Sequence, residues 1–177
     1  IEARLPYLKE LGVTCVYLNP VFEAASNHRY NTADYMRVDP MLGGDEALAS
    51  LADAAKAQGI ELMLDGVFSH TGDDSVYFDR RGVYAGDGAY RSPESPFRAW
   101  YEFYAWPDSY RCWWGFKTLP EVNECEPSYR EYIGRMIGHY AKLGISSWRL
   151  DVADELPDDF IAFLRRRVKR DDPEGML

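Results

Sequence analysis

The sequence is poor in the features that mark disulfide, zinc, nucleic-acid and membrane proteins. Cysteine occurs three times, at Cys15, Cys112 and Cys125, an odd number with no CxxC spacing. That argues against a disulfide framework or a zinc site and suits a reducing compartment. Basic residues are outnumbered: 20 Lys and Arg stand against 29 Asp and Glu, a formal charge of −9. Nucleic acid and anionic membrane surfaces want a basic face, so neither is expected as a partner. No apolar run is long enough to span a bilayer, and the first residues do not read as a secretory signal. A soluble, cytoplasmic protein is the expectation. Short-period repeats and low-complexity linkers are also missing. At 177 residues the chain is long enough for one ordinary domain with its own core.

Aromatic residues are plentiful and clustered. Of 26 Phe, Tyr and Trp, 14 lie between Tyr77 and Phe116, among them four of the five tryptophans. Such density builds a small core or a surface that stacks on flat apolar faces such as sugar rings. Core packing is the reading adopted for most of them, Trp113 and Trp114 included.

Elsewhere the pattern is periodic. "IEARLPYLKELG" reads as a helix stopped by Gly12, and "VTCVYLNPVF" as a short buried strand ended by Pro20. "DEALASLADAAKAQG" spaces Leu48, Leu51, Ala52 and Ala55 as one helix face, with Asp45 as its expected N-cap. "IELMLDGVF" is the next apolar strand. "PSYREYIGRMIGHYAKLG" is a helix opened by Pro127, "ISSWRLDV" a third strand, and Pro157 starts a last helix that buries Phe160, Phe163, Leu164 and Val168. The basic run "RRRVKR" near its end reads as a solvated face that suits the helix dipole.

Helices alternating with continuous apolar strands imply an α/β fold with a parallel sheet. About three strands are present, and the stretch 71–126 is too long for an ordinary loop, so it reads as an insertion subdomain between a 1–70 unit and a 127–177 unit. In parallel α/β folds chemistry gathers at the C-terminal strand ends. All three strands here end in polar groups: Asn19, then Asp65 and His70 in "DGVFSH", then Arg149, Asp151 and Glu155 in "RLDVADE". Period-2 alternation puts Arg149 and Asp151 on one face of their strand. Burying that pair is costly unless it is paired or working, and a structural ion pair in a barrel interior is the plain alternative.

"LDGVFSH", "WRLDVADE", "GVTCVYLNPVFEAASNHRYNTADYMRVDP" and "FKTLPEVN" resemble, in order and spacing, the signature segments of the alpha-amylase family of retaining glycoside hydrolases. In detail the chain looks most like the neopullulanase, cyclomaltodextrinase and maltogenic amylase group. The resemblance implies part of a (β/α)8 TIM barrel, with an α-glucan oligosaccharide as ligand. It makes Asp151 the nucleophile and Arg149 the cation that keeps it ionised. His70 and Asp65 would bind the sugar, Tyr30 would form the platform beneath it with His28 alongside, Asp34 would brace the site and Glu155 would contact substrate.

Two departures qualify the likeness. Ser69 stands where the family usually has an Asn that often serves calcium, and Ser is a poorer calcium ligand, so no cofactor or metal is expected. Asp154 stands where the group tends to have Asn. A complete barrel of this type needs roughly 250 residues. The general-acid Glu is therefore expected beyond "DDPEGML", the 177 residues alone are expected to be inactive, and exposed sheet edges are expected to drive self-association. A non-catalytic carbohydrate-binding or partner protein derived from the same family is the alternative.

Overall fold

The helices form where apolar residues recur at helical spacing. In the computed structural model, which describes residues 1–177, α1 (Leu5–Glu10) follows a 3-10 turn and carries Pro6 in its first turn. α2 (Gly44–Ala57) buries Leu48, Leu51, Ala52 and Ala55, the face its spacing predicts. Its N-cap, however, is Gly43, whose φ of 100° few side chains tolerate and where a Cβ would lie 2.6 Å from Ala47. Asp45 sits inside the first turn and accepts a hydrogen bond from Val38 N at 2.8 Å, so a tertiary bond takes the side chain expected as the cap. α3 (Pro127–Lys142) starts on Pro127 and is capped by Glu126, whose carboxylate accepts from Ser128 N. α4 (Asp158–Asp171) buries Phe160, Leu164 and Val168, with acids in its first turn and Lys169 and Arg170 in its last, as the dipole favours.

β1 (Cys15–Tyr17), β4 (Glu61–Gly66) and β7 (Ser147–Leu150) form a parallel three-stranded sheet in the order β1-β4-β7. The register pairs Tyr17 with Met63, and Asp65 with Arg149. One face of the sheet sends Leu62, Leu64 and Trp148 into the helices, all 4 % exposed or less. The other carries Tyr17, Asp65, Arg149 and Asp151, because every second residue of a strand shares a face. This arrangement corresponds to part of a (β/α)8 barrel wall.

Between β1 and α2 lies an antiparallel pair, β2 (Phe22–Ala24) and β3 (Thr32–Val38), which the pattern of "VTCVYLNPVF" does not separate from β1. Its tyrosines brace the site. Tyr35 places its hydroxyl 2.6 Å from Val67 O and 3.2 Å from His70 O, and its own N–H donates to the Tyr77 hydroxyl at 2.9 Å. Tyr129 of α3 donates to Phe68 O at 2.8 Å. The loop after β4 is thereby held from two sides.

Residues 71–126 contain little regular structure beyond the short hairpin β5 (Phe103–Ala105) and β6 (Ser109–Tyr110). They return to the sheet through backbone bonds: Thr71 N to Pro120 O, Asp73 N to Thr118 O, and Val122 N to Ser69 O. The 31-residue apolar core runs without a break from Leu64 and Trp148 to Tyr77, Trp100 and Tyr110. No helix is long and apolar enough to cross a membrane.

Candidate active site

Polar side chains converge where β1, β4 and β7 end. Arg149 donates through one terminal nitrogen to Asp151 Oδ1 at 2.7 Å and to Asp65 Oδ1 and Oδ2 at 3.0 and 3.1 Å. Asp65 is fully buried, and its Oδ2 also accepts from the hydroxyls of Tyr17 and Tyr30, the latter at 3.0 Å. Asp151 is 14 % exposed and has only Oδ1 committed to a protein donor. Its backbone N–H is tied to Gly66 O at 3.1 Å, which extends the β4–β7 ladder by one residue.

The electrostatics follow from these contacts. Burial pulls the Arg149 guanidinium down, but its hydrogen bonds to Asp65 and Asp151 outweigh that and hold it above its ordinary range. Burial, reinforced by the Asp65 hydrogen bond, pushes the Tyr17 phenol up, so it stays a donor. Burial also raises Tyr30. One guanidinium thus serves two carboxylates, and two tyrosine hydroxyls add their donors at Asp65.

His70 is buried, and that burial lowers its pKa from the ordinary 6.5. Its Nε2 lies 3.2 Å from Tyr30 O and its Nδ1 2.8 Å from Ser69 Oγ. A carbonyl can only accept, so the proton is assigned to Nε2 and Nδ1 accepts from the serine hydroxyl. Ser69, the position at which calcium is at issue, spends its hydroxyl there. No group of three or more His, Cys, Asp or Glu side chains is arranged to hold a metal ion.

The residues expected from sequence are not gathered equally. Asp65, Arg149, Asp151 and Tyr30 meet directly, and His70 joins through the Tyr30 backbone. His28 stays exposed on the loop between β2 and β3, its Nδ1 accepting from Tyr30 N at 3.2 Å and its ring 6.0 Å from the Tyr30 ring. Asp34 accepts from Met36 N at 2.9 Å and lies 3.3 Å from the Tyr77 hydroxyl, at the base of the hairpin. Glu155 touches none of the acids: its oxygens accept from the indole N–H groups of Trp113 and Trp114 at 3.0 and 3.2 Å.

Trp113 and Trp114 correct the expectation that they belong to the insertion's core. Trp114 is 74 % exposed, and Trp113 stacks on His70 with ring centroids 5.5 Å apart. The backbone pairing of 69–73 with 118–122 swings the pair over the strand ends. Tyr17 was not singled out from sequence, although period-2 alternation along β1 puts it on the inner face, two residues before the polar Asn19 chosen instead.

Val152, next to Asp151, has φ 44° and ψ 45°, a left-handed conformation that is an outlier for a β-branched residue. Such a conformation costs about 1–3 kcal/mol and persists only where its surroundings hold it.

Comparison with known proteins bears on what this arrangement does. The family model for the alpha amylase catalytic domain matches residues 1–176. An amylopullulanase of Thermoanaerobacter thermohydrosulfuricus is 38% identical over 203 residues, covering 100% of the chain and 14% of that protein. Neopullulanase 2 of Thermoactinomyces vulgaris is 34% identical over 181 residues, covering 98% of the chain and 30% of that protein. Among solved structures, a debranching enzyme from Nostoc punctiforme superposes with a TM-score of 0.88 at 38% identity, covering 99% of the chain and 37% of that structure. The chain spans well under a third of the length of the amylopullulanases and about 30% of the neopullulanase.

Proposed function

The chain belongs to the alpha-amylase catalytic-domain family, and from that premise we propose that it supplies the nucleophile half of a retaining α-glucan hydrolase. The observation that carries this reading is the Arg149 bridge. A cation locks one oxygen of Asp151 at 2.7 Å and leaves the other free of protein donors.

In this scheme Asp151 attacks the anomeric carbon of a glucosyl unit lying over Tyr30. The bond from that carbon to the leaving sugar's oxygen breaks, and the oxygen takes a proton from a second carboxyl. A covalent glycosyl-enzyme results. The second carboxyl then removes a proton from water, and the water oxygen displaces Asp151, so two inversions give net retention. Asp65 and His70 shape the sugar subsite by holding Tyr30, through its hydroxyl and its backbone carbonyl respectively.

The second carboxyl must lie about 5–5.5 Å from the first. Asp65 is buried under Arg149 and two tyrosines, and Glu155 is held by two indoles, so neither is placed to donate that proton. We assign the acid to a part of the protein outside these 177 residues. Bonds of the α-1,4 type in maltooligosaccharides, cyclodextrins or pullulan are the proposed targets, with α-1,6 bonds as a second class.

The test is trapping with an activated 2-deoxy-2-fluoro maltosyl fluoride in the longer protein that carries this chain. The expected result is a mass gain on the peptide containing Asp151, absent in Asp151→Asn, with no turnover by residues 1–177 alone. Turnover by the 177 residues alone would place the acid among them and overturn the assignment. Neither turnover nor labelling in the longer protein would leave a binding or partner role.

A further inference from the structure

The turn that carries Asp151 is held at both ends, and the insertion adds to the hold that buried Leu156 gives its upper end. Below, Asp151 N is bonded to Gly66 O on β4. Above, the chain passes through Val152 into a 3-10 turn, Ala153–Glu155, closed by Glu155 N donating to Val152 O at 2.9 Å. The Glu155 carboxylate is gripped by two donors at once, the stacked indoles of Trp113 and Trp114, whose centroids are 4.9 Å apart at 12°. Trp113 rests in turn on His70, so the grip is anchored to the loop after β4.

Both sides of this clamp hold a bulky residue in the left-handed region: Trp114 at φ 49° and Val152 at φ 44°. A β-branched residue stays in that region only where its surroundings hold it. The torsion stored at Val152 lies between the fixed strand and the fixed turn, one residue from the carboxylate. Release at Glu155 would let Val152 relax and rotate Asp151 away from Arg149.

We infer that Trp113 and Trp114, acting through Glu155, are positioning residues for Asp151: the insertion holds Val152 left-handed and so sets the aim of the nucleophile. This rests on the reading of Asp151 as nucleophile. It also gives Glu155 a task distinct from direct contact with sugar.

The two tasks separate in kinetics. In the longer protein, Glu155→Ala is expected to slow glycosyl-enzyme formation from an activated maltosyl fluoride by about 10- to 100-fold, chiefly in kcat, because a misplacement of about 1 Å can cost about 100-fold. Trp114→Phe, which keeps a ring but removes the N–H, should move kcat the same way by less. Glycine adopts the left-handed conformation without steric cost. Adding Val152→Gly to Glu155→Ala should therefore restore roughly tenfold of the lost rate, which a sugar-contacting Glu155 gives no reason to expect. Glu155→Gln, the gentler change, serves if alanine lowers the Tm. A raised KM with unchanged kcat, or no recovery in the double variant, overturns the inference and leaves the functional reading standing. An inactive wild-type protein overturns both.

Discussion

The three-stranded sheet and the 71–126 insertion are built by different rules. The sheet and its helices repeat a pattern: Leu48, Leu51 and Ala55 on α2, Ile133, Ile137 and Tyr140 on α3, and Leu62 and Leu64 on β4 all bury one face per period. The insertion repeats nothing. Several of its aromatic rings meet edge to face, as Phe78 does with Tyr101 at 4.8 Å and with Tyr110 at 4.7 Å. It also buries polar side chains, among them Asp73, Asp79 and Ser75, each held by a particular bond such as Val83 N to Asp79 Oδ1 at 2.8 Å. Non-directional apolar burial tolerates exchange, while directional bonds do not. The candidate site draws its charged groups from the first kind of structure and its aromatic cover from the second.

This contrast can be broken most severely at Trp148, which packs against Phe22, Phe68 and Tyr140. Trp148→Ala should cost about 3–5 kcal/mol, read as a lower urea midpoint. Trp148→Phe should cost much less, because the indole N–H has no partner to lose. A loss as large for phenylalanine as for alanine would show that shape specificity, and not burial, governs the sheet.

A smaller effect tests the insertion. Tyr77→Phe keeps the ring but removes the hydroxyl that accepts from Tyr35 N at 2.9 Å and lies 2.8 Å from the Tyr132 hydroxyl. It should cost about 1–3 kcal/mol by leaving a buried N–H unpaired. No change in midpoint would mean that the insertion, like the sheet, is held by apolar packing.

The mildest probe is pH. Burial lowers the folded-state pKa of His70, so the unfolded chain binds the extra proton first. The stability tied to neutral His70 is present above its ordinary pKa of 6.5 and is lost as pH falls through the lowered value. Glu124 runs the other way: burial pushes it up to about 7, so its contribution is fully present below its ordinary 4.5 and is lost as pH rises from there through about 7. The His70 contribution to Tm should therefore fall on the acid side in the wild type and less in His70→Gln, while Glu124→Gln should remove the opposite slope between pH 4.5 and about 7. Unchanged profiles in both variants would deny these groups any coupling to folding.

Legibility divided along the same line. α2, α3, α4 and the strands β4 and β7 were readable because burial on a helix or strand imposes a period that survives in the residue order. The β2–β3 pair was not, since Asp34 and Arg37 interrupt the alternation of β3 and two short strands run together with β1. Asp45 read as a cap because capping is usually local, and a bond from Val38 seven residues away took it instead. Arg149 and Asp151 were readable as partners because residues two apart along a strand share a face.

Residue order alone thus determined the alternation of helices and strands, the polar strand ends and the pairing of Arg149 with Asp151, all of which rest on interactions a few residues apart. Tertiary structure alone decided that Tyr17 and Tyr30 share Asp65, across 48 and 35 residues, and that Trp113 and Trp114 close on Glu155 rather than on a core. Hydrogen bonds are short and directional, so which distant donor reaches which acceptor is set only when the backbone between them has been placed.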